Sequence, residues 1–146
     1  MRLTLYSEYS LRVLLYLGLH RERLCSIAEI ASAYGISDSH LTKVVHALGK
    51  DGFIKTVRGR RGGMRLAHAP EAISLGEVIR RTEGGLQSPG CDACPLVSAC
   101  TLTGVLERAY GAFLQVFDAY TVADITISGD VLRGLLRADG CDKGAA

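Results

Sequence analysis

Residues 26–49 leave little choice of fold, because two helix starts sit on either side of a single glycine. Ser26-Ile-Ala-Glu29 is a capping box: the serine oxygen takes the amide of the glutamate, and the glutamate reaches back to the serine amide. It opens a short helix with Ile27, Ile30 and Ala31 inward, which runs to Tyr34 and stops at Gly35. Gly35-Ile36-Ser37 is then a tight turn. Ser37 caps a second helix, Asp38 to Gly49, with Leu41, Val44, Val45 and Leu48 inward and Ser39, His40, Thr42, Lys43 and His46 around its exposed side. Helix, glycine turn, helix is the pattern of a helix-turn-helix, whose second helix is offered to the major groove of duplex DNA.

The flanking segments extend this pattern. Tyr6 to Leu19 has a broad apolar face, including Leu11, Leu14 and Leu15, and is expected to be a core helix. Two strand-like stretches, Phe53 to Val57 and Met64 to Ala67, enclose Arg58-Gly-Arg-Arg-Gly-Gly63, which fits a two-stranded wing. Arg58, Arg60 and Arg61 carry its tip with no acid between them, and glycines such as Gly62 let the backbone approach a phosphate or enter the minor groove. An isolated basic hairpin is as often a solvated surface; directly after a helix-turn-helix it points to DNA. Ser37, Ser39, His40, Thr42 and Lys43 on the helix and Arg58, Arg60, Arg61 and Gly62 on the wing are therefore the candidate DNA contacts. Charge agrees. Residues 1–81 hold 13 Lys and Arg against 7 Asp and Glu, which is +6, and residues 82–146 hold 4 against 8, which is −4.

The acidic half opens with Cys91, Cys94 and Cys100 on a glycine-flanked loop. Thiols this close in sequence can converge on one metal centre, and thiolate is the ligand that soft metals and iron-sulfur clusters require. Three ligands leave one coordination position for a fourth residue, solvent or a small reactive molecule. A structural zinc site or an electron-passing centre is the other reading of the same residues. Cys25, just before the Ser26 cap, reads as a buried inert thiol, and Cys141 falls in the tail. Five cysteines without an export signal fit reduced thiols and a cytoplasmic location. No apolar run reaches membrane-spanning length, and no nucleophile-base pair, phosphate-cradling glycine loop or paired carboxylates point to an enzyme.

Ser74-Leu-Gly-Glu77 starts another helix, expected through Arg81. After the cysteines, Leu102, Val105, Leu106, Ala109, Phe113, Val116, Phe117 and Tyr120 form an apolar stripe on one long helix, expected to pack against a second copy in a symmetric dimer. Thr121-Val-Ala-Asp124 can cap a further turn, Val131 to Leu136 can form a short helix, and Ala138 to Ala146 reads as a frayed tail. The expected fold is mainly α with a small β wing. A winged helix-turn-helix DNA-binding domain takes residues 1–82 and a cysteine loop 83–100. A dimerisation helix covers 101–125 and a C-terminal extension 126–146.

The chain resembles the winged-helix iron-sulfur repressors that include the NsrR and IscR branches. The matching stretches are Met1-Arg-Leu-Thr with Tyr9-Ser-Leu-Arg-Val-Leu, Val57-Arg-Gly-Arg-Arg-Gly-Gly-Met-Arg-Leu66, Cys94-Pro-Leu-Val-Ser-Ala-Cys100, and Ala112-Phe-Leu with Asp118-Ala-Tyr-Thr-Val-Ala-Asp124. They cover residues 1 to about 125, and the last leans toward the NsrR branch. The resemblance implies a cytoplasmic homodimeric repressor of palindromic operators. Its cluster, typically [4Fe-4S] in this branch and alternatively [2Fe-2S], is destroyed by nitric oxide, which releases the promoter. It also implies that Cys91, Cys94 and Cys100 hold the cluster, with an acidic residue near the N-terminus of the partner subunit as fourth ligand, a position that Glu8 matches. The interval between Cys91 and Cys94 is shorter than in the relatives.

Overall fold

A computed structural model describes residues 2–84, 95 and 100–141, with side chains through 136. The elements in order are α1 (Leu5–Leu19), α2 (Ile27–Tyr34), α3 (Asp38–Lys50), β1 (Ile54–Val57), β2 (Gly63–Leu66), α4 (Leu75–Glu83), α5 (Thr101–Asp118) and α6 (Gly129–Cys141), with 3-10 turns at Pro70–Ala72 and Asp124–Thr126. The winged helix-turn-helix expected from the sequence is present. Local signals placed its borders: Ser26 forms the reciprocal capping box with Glu29, Gly35 takes a left-handed φ of 62° after α2, and Ser37 caps α3.

Packing follows the periodicity. Leu41, Val44, Val45 and Leu48 of α3 and Ile30 and Ala31 of α2 are buried against Val13, Leu14 and Leu17 of α1. In α1 the buried side is rotated from the expected one: Leu11 and Leu15 are half-buried, while Ser7 and Ser10 are fully buried. Their hydroxyls make this possible by finding partners, Ser10 donating to the Tyr6 carbonyl at 2.8 Å and Ser7 to Thr82 at 2.7 Å.

β1 and β2 pair antiparallel, with Lys55 opposite Arg65 and Thr56 opposite Met64. On its far side β2 exchanges backbone hydrogen bonds with Cys25, through Cys25 N–H to the Met64 carbonyl (2.9 Å) and the reverse (2.8 Å). The wing is thus rooted in the core by Met64 and Ile54.

The segment after the cysteines is not an appendage. Its end is stitched to the start of α4 by backbone bonds from Leu75 N–H to the Tyr120 carbonyl and Val122 N–H to the Ile73 carbonyl, both 3.0 Å, and Val122 is fully buried. Arg80 of α4 makes a two-pronged contact with Asp118 of α5, 2.6 Å on each arm. Gly76 permits this approach, since a Cβ there would meet the Asp118 carboxylate and lie 3.0 Å from its backbone nitrogen. Thr121 and Asp124 cap the next turn reciprocally, as expected (Thr121 N–H to Asp124 Oδ2, 2.7 Å). The C-terminal expectation is corrected in part: the helix expected at 131–136 is α6, which starts at Gly129 and continues to Cys141, and the rest of the tail lies outside the described residues. The helix packs on α2, and Arg133 donates to the Leu19 carbonyl at the end of α1 (2.9 Å). Docking supplies the stability that a short isolated helix lacks.

Candidate DNA-binding face and cysteine site

The N-terminal end of α3 is built by its cap. Ser37 Oγ accepts the His40 amide at 3.4 Å and lies 3.3 Å from Ser39 Oγ, so Ser37 orients the helix. Ser39, His40 and Lys43 project exposed from its first two turns. Thr42 is also exposed, but its hydroxyl donates to the Asp38 carbonyl at 2.7 Å, which leaves it an acceptor only.

On the wing, Arg58, Arg60 and Arg61 are all exposed at the turn between the strands. Gly59 has φ 118°, and Gly62 donates to its carbonyl at 2.8 Å. A Cβ on Gly62 would strike the Val57 carbonyl oxygen and lie 2.8 Å from that of Gly59, so Gly62 shapes the turn. Sequence reasoning passed over Lys50 and Lys55. With His46 and Arg65 they line a groove of about 720 Å³ between α3 and the wing. Thr42, His46 and Lys50 are spaced i, i+4, i+8, a signal that could have found Lys50, though not Lys55 on the strand.

Of the expected cluster ligands, Cys91 and Cys94 lie outside the described residues. Cys100 stands at the N-cap of α5, half-buried and with a free thiol. The amides of Leu102 and Thr103, at the positive end of the helix, hold that thiol below its usual range, which favours the thiolate a metal requires. Glu8, in the first turn of α1, pairs with Arg12 one turn on. The Arg12 guanidinium lies over the rings of Tyr9 (5.9 Å) and Tyr34 (5.8 Å). The Glu8 carboxylate is 43% exposed and so open to a further partner. The start of α1 is tied to the end of α4, where the cysteine segment begins: Glu83 accepts from the Thr4 amide (2.8 Å) and hydroxyl (3.0 Å). Of the expected ligands the described residues hold one thiol, Cys100, and one carboxylate, Glu8, donor types that thiolate- and carboxylate-bound iron uses. Among the described residues no group of three or more His, Cys, Asp or Glu could hold a metal ion. Cys25 is fully buried, and burial pushes its thiol up to about 11, which suits an inert core residue.

The α5 stripe divides in two. Leu102, Val105, Leu106, Ala109, Val116 and Tyr120 are exposed, Leu102 and Val116 each by 60%. Phe117 packs on the core, Phe113 lies edge-on to it at 5.1 Å, and Leu114, outside the stripe read from sequence, is buried. A helix with an inner and an outer apolar face covers its own domain with one and leaves the other uncovered.

A capped recognition helix, a basic wing and an acid-poor face define a DNA-binding transcriptional regulator of the winged helix-turn-helix class. The family model for Rrf2, described as an iron-dependent transcriptional regulator, matches residues 3–127, and the chain belongs to that family. The HTH-type transcriptional regulator NsrR of Shouchella clausii is 49% identical over 94% of this chain and 96% of its own length. Among solved structures, CymR, the global cysteine regulator of B. subtilis, superposes with a TM-score of 0.72 at 25% identity over 86% of this chain and 95% of that one. IscR of T. potens does so at 0.71 and 26% over 100% and 93%. The chain is a regulator and not an enzyme. Among the described residues no helix is long and apolar enough to cross a membrane.

Proposed function

We propose that this chain is a cytoplasmic homodimeric repressor that holds a [4Fe-4S] cluster through Cys91, Cys94 and Cys100, with Glu8 of the partner subunit as fourth ligand, and releases its palindromic operator when nitric oxide attacks the cluster. The observation that carries the reading is the placement of Cys100 and Glu8. The thiol starts the helix with the uncovered apolar face, and the carboxylate starts the helix that packs against the helix-turn-helix. The NsrR name of the relative at 49% identity supports the cluster and the signal.

The chain's own residues divide the work. Ser39, His40, Thr42 and Lys43, oriented by Ser37, read base edges, while Arg58, Arg60 and Arg61, on a turn shaped by Gly62, hold phosphate and minor groove. Leu102, Val105, Leu106, Ala109, Val116 and Tyr120 join two copies, with Phe113 and Phe117 backing them from within. The cluster, when bound, supplies reactivity toward nitric oxide. Glu8, reaching across the dimer, ties the DNA-binding half of one subunit to the cysteine segment of the other and fixes the separation of the two recognition helices at the ~34 Å that half-sites require. With the cluster bound, Glu8 would be the hardest ligand of the set and the one held least firmly by iron.

The test follows anaerobic absorbance and operator binding on the same samples during nitric oxide titration. Cys91→Ala, Cys94→Ala or Cys100→Ala should lose visible absorbance and specific binding together, and Glu8→Ala should hold a more labile cluster and bind less tightly. Tight operator binding by a colourless Cys94→Ala protein, indifferent to nitric oxide, would overturn the reading. The two-residue gap between Cys91 and Cys94 favours, as second reading, a [2Fe-2S] cluster reporting iron, cluster supply or redox state; the spectrum separates the two.

A further inference from the structure

We infer that the groove between the C-terminal half of α3 and the wing is a track for the DNA backbone, in which Lys50, Lys55 and Arg65 hold phosphates. The inference rests on the DNA-binding reading above and adds contacts to it. The groove, about 720 Å³, is lined on one side by the Thr42, His46 and Lys50 face of α3 and on the other by Lys55, Val57 and Arg65 of the wing. Among the described residues no carboxylate lines it, and its floor includes the buried Val45 and Ile54, so the three cations act over a surface of low polarizability that focuses their field.

Lys55 and Arg65 face one another directly in the antiparallel register, which puts their side chains on the same face of the hairpin. Like charges so placed repel. Neither side chain makes an ion pair or hydrogen bond to another described residue, so nothing in the described chain offsets the repulsion. Lys50 alone could be read as a cation complementing the C-terminus of α3; that reading does not reach Lys55 and Arg65, which belong to no helix. Position identifies the anion. A recognition helix seated in the major groove and a wing tip in the adjacent minor groove must have between them the sugar-phosphate strand that separates the two grooves. The space between α3 and the wing is where that strand has to pass.

The test uses Lys55→Gln and Arg65→Gln, singly and together, with a mixed-sequence DNA duplex and the full-length protein. Each single change should flatten the dependence of log K on log salt by about 0.9, and the double change by about 1.8, if each cation neutralises one phosphate. The thermal midpoint of the DNA-free protein should stay level or rise, because a repulsion has been removed. A merely structural residue would lower affinity and midpoint in step, and that outcome overturns the proposal. So does an unchanged salt slope in both variants while the wild type binds. ATP is the rival probe: a midpoint raised by ATP in the wild type but not in Lys55→Gln, with the duplex salt slope unchanged, would assign the groove to a small anion and overturn the track. If the wild type binds no duplex at all, it is the DNA reading that fails.

Discussion

Cys25, sealed in the core, and Cys100, half-buried at the start of α5 with its thiol held low by helix amides, sit in opposite environments, and their chemistry should diverge accordingly. Cys25 has lost all contact with water, and its thiol is pushed from an ordinary 9.0 up to about 11, by burial first and by Glu29 second. Because the folded protein holds that proton more tightly than the unfolded chain, the group's contribution to stability is complete below about pH 9 and is lost as pH rises toward 11. Unfolding free energy measured across this window should fall less steeply in Cys25→Ala than in the wild type; parallel slopes would show that Cys25 does not titrate with folding. That Cys25 would be buried was legible from its place before the Ser26 cap. The role of Gly76 was not, because what makes it necessary is the Asp118 backbone, distant in sequence and brought near only by the fold.

At the scale of the element, what could be read depended on how local the determinant is. The starts of α2 and α3 and the end of α2 are set by residues within three positions, so serine caps and a left-handed glycine announced them. The buried side of α1 was misread because Ser7 and Ser10 count as polar in any periodicity, and only partners such as Thr82 make their burial tolerable. The full length of α6 was not legible either, since it depends on docking against α2 and on Arg133 reaching Leu19. The wing was legible in its charge and its turn but not in the groove behind it, which exists only once strand and helix stand side by side. Neutralising Arg58, Arg60 and Arg61 together should weaken binding to all sequences and flatten the salt dependence by up to about three phosphate contacts, whereas changes at Ser39, His40 or Lys43 should alter which sequence is preferred. Filter binding over a salt series with two unrelated duplexes distinguishes the two effects. An unchanged slope in the triple variant would remove the wing from the interface.

For the whole molecule, the division of α5 into inner and outer faces decides which substitution probes assembly. Phe113 touches Phe117, which packs on the core, so a charge at Phe113 would disturb the fold as well as any interface. Val116 is 60% exposed, and Val116→Glu should leave the protomer folded while burying a carboxylate between copies, at a cost on the order of a few kcal/mol. Sedimentation should find folded monomers that have lost operator binding; a Val116→Glu protein that stays dimeric would move the seam off this face. The joints on either side of the cysteine segment carry a different consequence. Glu83 is pinned to Thr4, and the far end of α5 is pinned through Asp118, Tyr120 and Val122, each by bonds to residues outside the cysteine segment. Closing a loop between two fixed posts costs only about 0.6 kcal/mol more for each doubling of its length. Two residues added between Cys91 and Cys94 should therefore leave the melting temperature of the metal-free protein nearly unchanged. On the proposed reading, the spacing of the cysteines is then free to drift under selection for the cluster alone, with the scaffold indifferent to the outcome.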